Sequence, residues 1–238
     1  MFTTLPSSAE LPCSDDTPVD NEEQNLLPNL LLFVLRHIWH DRQDWFFGVD
    51  MGIYHTTGSN PRIPVIPDAF LSLGVPRKKG GKSRLSYVMW EENYTPPILV
   101  LEMVSHTPGK EYSEKMAIYQ RLGVLYYVIY NPEYYQRDGH EPFEVYKLVE
   151  GEYQQQRGEP YWMAEVGLGI GRCWVEGDPP EQLAWFDREG KRFLTPDELL
   201  AQERQEKEKA LEQASQALQA KEKLAQYLRA MGIDPDRL

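Results

Sequence analysis

The sequence predicts an α/β fold: a mixed sheet built around a central βαβ unit, with helices packed outside it. Three observations predict it. Ile98–Val104 reads ILVLEMV and Leu125–Tyr130 reads LYYVIY, two nearly continuous apolar runs of strand length. Runs of that kind are strands buried on both faces rather than strands with one wet side. Between them Tyr112, Met116, Tyr119 and Leu122 recur at the spacing of one helix face. Strand, helix and strand joined by short links imply parallel pairing and a right-handed crossover.

The other elements follow in chain order. Residues 1–24 are rich in Pro, Ser, Asp and Glu and read as a loose, flexible arm. Asn25 to Trp39 is dense in Leu and long enough for a largely buried helix. Trp45 to Thr56, Arg62 to Leu73 and Leu85 to Glu91 carry strand-forming residues, with turn signals at Gly58–Pro61 and Gly80–Gly81, and predict an antiparallel meander. In the central unit, Thr107 and Pro108 fit an N-cap and first helical position, and Gly123 a C-terminus. Pro142 to Glu152, Tyr161 to Leu168 and Gln182 to Asp187 read as short strands that extend the sheet or form a small β annex, and Gly167–Gly171 as a β turn. From Pro196 onward the chain is Ala, Gln, Glu, Lys and Leu with no glycine or proline until Gly232, a long C-terminal helix. Its Leu211, Ala214, Leu218, Ala225 and Leu228 fall on a heptad seam that Lys221 interrupts, so a coiled-coil homodimer and a solvated single helix both fit. The expected units are an arm (1–24), a main domain (25–195) and the helix (196–238).

Composition excludes several classes. The chain has 238 residues, 41% of them hydrophobic, enough to form a sizeable core. The longest apolar run, Leu30 to Leu35, is far short of the ~18 residues of a membrane span. The N-terminus lacks the basic and apolar regions of a secretory signal, and two cysteines, Cys13 and Cys173, make no disulfide framework; a cytoplasmic setting follows. A net charge of −12 opposes retention on nucleic acid by bulk electrostatics and leaves only transient contact with DNA. One basic cluster stands out, Arg77, Lys78, Lys79, Lys82 and Arg84, which is a solvated hairpin tip unless it meets phosphates. There is no GxxxxGK[ST] loop, no strand-linked GxGxxG, no HExxH and no serine or cysteine nucleophile elbow.

Glu102 carries the most weight, because a carboxylate inside ILVLEMV is buried and costly unless something pairs with it. Asp68, after Pro67, also interrupts apolar sequence, although Pro-Asp is equally a turn pair. Advancing ~100° per residue puts Lys115 within about 60° of Tyr112, Tyr119 and Leu122, so it projects toward the sheet that holds Glu102 or snorkels past its edge. Two carboxylates and a lysine suit a hard divalent cation, Mg²⁺ or Mn²⁺, acting on a phosphodiester. His106, four residues beyond Glu102, shares its face if the strand runs on. His37 and His40 read as surface residues, and His55 has no partner legible from sequence.

Pro67-Asp68, the Ile98–Ser105 run, Glu114-Lys115-Met116-Ala117-Ile118-Tyr119, Leu122-Gly123-Val124 and Tyr126–Pro132 resemble, in order and approximate spacing, the PD-(D/E)xK nuclease superfamily and within it the bacterial Uma-two family of restriction-endonuclease-like domains. The resemblance spans roughly residues 10–195 and the tail. It implies a restriction-endonuclease-like fold and a metal-dependent endonuclease acting on DNA, with Asp68 and Glu102 as metal ligands and Lys115 as the catalytic lysine. The superfamily's usual lysine position, two residues after the second acid, is Val104; Lys115 matches the helix-borne position common in this family. The loop Ser105-His106-Thr107-Pro108 departs from the family's usual sequence. The alternative function is a catalytically weak or inactive nuclease fold serving as an interaction or oligomerisation module.

Overall fold

A computed structural model describes residues 5–13, 22–106, 110–176 and 179–232. The chain divides into two units, Met1–Phe193 and Leu194–Leu238. The larger unit is a mixed α/β structure, consistent with a restriction-endonuclease-like fold, and the smaller is a single long helix.

Six strands form the main sheet: β1 (Trp45–Val49), β3 (Ala69–Leu73), β5 (Leu99–Met103), β6 (Tyr126–Tyr130), β7 (Phe143–Val149) and β8 (Glu152–Gln155), in the order β1-β3-β5-β6-β7-β8. β5 and β6 pair parallel and every other neighbouring pair is antiparallel. The helix joining β5 and β6 comprises a π turn (Glu111–Lys115) continuing into α2 (Met116–Leu122), ended by Gly123 in the left-handed conformation. The predicted cap at Thr107 and Pro108 lies outside the described residues.

Burial follows the alternation of the strands. On one face Leu99, Leu101, Met103 and Val128 pack under α1 (Glu22–Ile38), which is covered in turn by a three-stranded sheet of β9 (Tyr161–Met163), β10 (Leu168–Trp174) and β11 (Glu181–Phe186). Trp185 of β11 donates its indole N–H to the Leu31 carbonyl of α1 at 2.9 Å. On the other face Val100, Val104 and Ile129 pack against Tyr119 and Leu122 of α2.

Several strand boundaries differ from the sequence expectation. The run from Trp45 breaks at Asp50, whose φ is 46°, into β1 and β2 (Ile53–Tyr54). The run from Arg62 yields only β3, because Pro64 and Pro67 have no N–H to give to a ladder. The third strand of the expected meander is reduced to β4 (Tyr87–Val88), which pairs parallel with β2 outside the main sheet; the chain coils at once into the 3₁₀ turn Met89–Glu91, and β5 takes the place beside β3. Pro142 to Glu152 extends the main sheet, while β9–β11 form the annex. Gly167 alone of the Gly167–Gly171 stretch lies in a turn; the rest is β10, where Gly171 admits Pro160 so closely that a Cβ would stand 2.9 Å from its Cα.

Residues 5–13 lie against this core: Leu11 is buried, and the Tyr54 hydroxyl donates to the Pro12 carbonyl at 2.7 Å. After α3 (Tyr135–Asp138), the last helix is α4 (Pro196–Ala230), opened by a capping box in which Thr195 and Glu198 bond each other's backbone N–H. Leu211 and Leu218 of α4 are exposed. Among the described residues, no helix is long and apolar enough to cross a membrane.

Candidate active site

The alternation that builds the core also places Glu102. It falls between Val100 and Val104 on the α2 face of β5 and is fully buried. Lys115 and Tyr119, four residues apart, stand on one face of the helix opposite it. Lys115 Nζ donates to Glu102 Oε2 at 2.8 Å and the Tyr119 hydroxyl to Oε1 at 2.5 Å, so both carboxylate oxygens are engaged. Lys115 also lies 3.4 Å from the Ile66 carbonyl, and its side chain keeps 27% of its exposure. The turn bearing Lys115 is wound wide, its N–H reaching back to the Lys110 carbonyl five residues earlier at 3.2 Å.

Asp68 enters from the neighbouring strand. The ladder between β3 and β5 ends at Ala69 opposite Leu101. The next N–H of β5 on that side, that of Met103, is taken by Asp68 Oδ2 at 2.6 Å. Asp50, just past β1, donates its N–H to the Asp68 carbonyl at 3.0 Å and fixes the backbone. Asp68 and Glu102 are close enough to influence each other's ionisation.

Burial dominates the electrostatics. It pushes Glu102 up to about 8, with the Asp68 charge adding to the rise and Lys115 and Tyr119 opposing it. Burial likewise raises Asp68, against the Met103 N–H and the Lys115 charge. Burial alone would lower Lys115, but Glu102 and Asp68 outweigh it and its net shift is upward. The site is thus one lasting cation beside two carboxyl groups that are expensive to ionise together.

That donor set fits a hard divalent cation. Among the described residues no group of three or more His, Cys, Asp or Glu side chains is arranged around a metal position. Two carboxylates still suit Mg²⁺, which keeps several waters and takes few protein ligands.

Asp68, Glu102 and Lys115, distant in sequence, are brought together. Tyr119 and Glu111 were not legible as site residues. Tyr119 reads as helix core, yet its polar end meets Glu102. Glu111 is buried and its charge acts on both Asp68 and Lys115; its place one turn before Lys115 was the available signal. His106 is set edge-on to Tyr134, with ring centroids 6.0 Å apart, and not beside Glu102. His55 is buried against Thr57 at 2.9 Å, and burial lowers its pKa. His40 is exposed beside Asp41. Within the basic cluster Lys79 and Lys82 bridge around the glycine turn, Lys79 pairs with Glu91 at 2.8 Å, and Arg84 pairs with Glu92 at 2.9 Å.

The model of the Uma2 family, described as "Putative restriction endonuclease", matches residues 16–175. No curated protein matches the chain. The family match covers more than half of the sequence and includes Asp68, Glu102 and Lys115, and the chain belongs to the Uma2 family.

Proposed function

We propose that this member of the Uma2 family is a Mg²⁺- or Mn²⁺-dependent endonuclease that hydrolyses phosphodiester bonds of DNA. The observation that carries the reading is the 2.8 Å contact of Lys115 Nζ with Glu102 Oε2, beside the partly buried carboxyl group of Asp68, in a family of nuclease description. Asp68 and Glu102 are the metal ligands. A bound divalent ion would offset their charge, polarise a phosphoryl oxygen and acidify a water.

The remaining roles belong to the chain itself. The Met103 N–H holds the Asp68 carboxylate, and Tyr119 fixes the rotamer of Glu102. Lys115 keeps its proton, as its raised pKa requires, and donates hydrogen bonds; next to a phosphate it orients the attacking water and balances charge on the phosphoryl group. Val104, on the same strand face as Glu102, is buried and apolar, so the helix supplies the ammonium that this strand lacks. The net charge of −12 keeps contact with DNA transient, and a chain with only two cysteines, Cys13 and Cys173, suits a reducing cytoplasm. Two copies would pair through the α4 seam at Leu211 and Leu218.

Plasmid nicking with Mg²⁺ or Mn²⁺ tests the reading in the wild type, Asp68→Asn and Lys115→Ala. The expected result is metal-dependent cleavage reduced by roughly a hundredfold or more in each variant. Cleavage of equal strength in the variants would remove the site, and no cleavage with either metal would favour an interaction module on a nuclease fold.

A further inference from the structure

β1 is an edge strand of the main sheet, and along it lies a cleft of about 690 Å³. Phe46–Val49 and Met51 form its floor. Its cationic walls are Arg36 from α1 and Arg77, Lys78 and Arg84 from the segment after β3. Among the described residues no Asp or Glu lines it, although acids outnumber bases 37 to 25 in the chain. Four cationic side chains around one cleft give it a locally positive potential that favours an anion.

The four cations are not equivalent. Arg84 is neutralised by Glu92, which it grips at 2.9 and 3.0 Å, and its guanidinium lies 4.4 Å over the Phe46 ring. Arg77 is stacked 3.7 Å over the Trp45 ring, which fixes its plane while leaving its edge for an acceptor. Among the described residues no carboxylate forms an ion pair with Arg36, Arg77 or Lys78. Burial and the charges of Arg36 and Arg84 push the Arg77 guanidinium down, a crowding of like charge that an anion would relieve.

One end of the cleft approaches the candidate site, because Val49, which lines it, pairs with Ala69, the residue after Asp68. At the other end of β1, Trp45 pairs with Leu73. Phe46 packs on the same sheet face that carries Glu102. At about 3.3 Å per strand residue, Trp45 to Val49 spans roughly 13 Å, about four steps of the 3.4 Å charge spacing along one DNA strand.

We propose that this cleft is a docking groove for the phosphate backbone of the DNA on which the Asp68–Glu102 site acts, with Arg36, Arg77 and Lys78 as its phosphate contacts. The proposal rests on the nuclease reading for the identity of the polyanion. It also separates two parts of one basic segment: Arg77 and Lys78 face the groove, whereas Lys79 and Lys82 belong to the hairpin tip.

Fluorescence anisotropy of a labelled 20-base-pair duplex, without divalent metal and between 50 and 200 mM salt, tests it. Arg36→Gln combined with Lys78→Gln should weaken binding roughly tenfold per cation at 50 mM salt and reduce the slope of log K on log salt by about two. Lys82→Gln should bind like the wild type, and the thermal midpoint should be unchanged in both variants. A double variant with wild-type affinity and slope, an equal loss in Lys82→Gln, or a wild type that binds no duplex would overturn the groove. If the double variant loses binding while the wild type and Asp68→Asn both fail to cleave, the groove stands and the nuclease reading falls. Cleavage that needs Asp68 alongside binding indifferent to Arg36 and Lys78 keeps the nuclease reading and removes the groove.

Discussion

Lys115 Nζ lies 2.8 Å from Glu102 Oε2, across the interface between the π turn that leads into α2 and the central strand β5. Glu102 is wholly buried, and the Lys115 side chain is partly exposed. Removing one partner of such a pair strands the other, whereas removing both costs little. In a double-mutant cycle of Glu102→Gln and Lys115→Met, the coupling should be about 1–3 kcal/mol by urea unfolding. Coupling below about 0.3 kcal/mol, within the additivity expected of independent sites, would show that the pair is not formed in solution.

The pH dependence of metal-free stability has a definite sign. Glu102 stands at about 8 in the fold, above its ordinary 4.5, and Asp68 is raised as well. A carboxyl with a raised folded pKa binds its proton more tightly in the native state, so its contribution is fully present below about 4.5 and is lost as pH climbs through about 8. In EDTA, the thermal midpoint of the wild type should fall between pH 5.5 and 8.5. Glu102→Gln should show a flatter profile, and identical slopes in the two proteins would refute the burial of an ionisable group here.

Much of this arrangement was legible in the sequence, for reasons that can be named. ILVLEMV and LYYVIY are apolar on both faces, and only a central strand needs that. Glu102 and Asp68 interrupt such stretches, and the azimuth of Lys115 on a regular helix already aims it at the sheet. The illegible parts depend on contacts between distant segments. The parallel pairing of β2 with β4 joins two-residue strands with no pattern of their own. The π turn at Glu111–Lys115 has no residue signature, and Arg84, read as part of a solvated hairpin tip, is instead paired with Glu92 in a buried ion pair over the Phe46 ring.

Tyr119 offers a separate test of how Glu102 is held. Tyr119→Phe keeps the ring that packs on Tyr127, 5.2 Å between centroids, and removes only the hydroxyl that meets Oε1. The buried oxygen left without a donor should cost about 1–2 kcal/mol. Tyr119 opposes the rise of Glu102, so the variant should raise that carboxyl further and lose more stability at pH 9 than at pH 5.5. A deficit that is equal at both pH values would mean that the hydroxyl does not sense the charge of Glu102.

Divalent metal distinguishes a ligand from a positioning group. A cation bound by Asp68 and Glu102 competes with the proton that burial keeps on Glu102, so its stabilising effect should grow between pH 6 and 8.5. At a hundred times the dissociation constant, Mg²⁺ or Mn²⁺ should add about 2.7 kcal/mol to unfolding stability. Asp68→Asn removes one of the two proposed anionic ligands and should abolish most of that gain. Lys115→Ala should keep the gain or enlarge it, because the ammonium beside Glu102 repels an incoming cation while contributing no ligand to it. Differential scanning calorimetry of the three proteins with and without EDTA would check this, and a loss of metal stabilisation in Lys115→Ala equal to that in Asp68→Asn would show that the lysine organises the carboxylates for the metal rather than serving the phosphate.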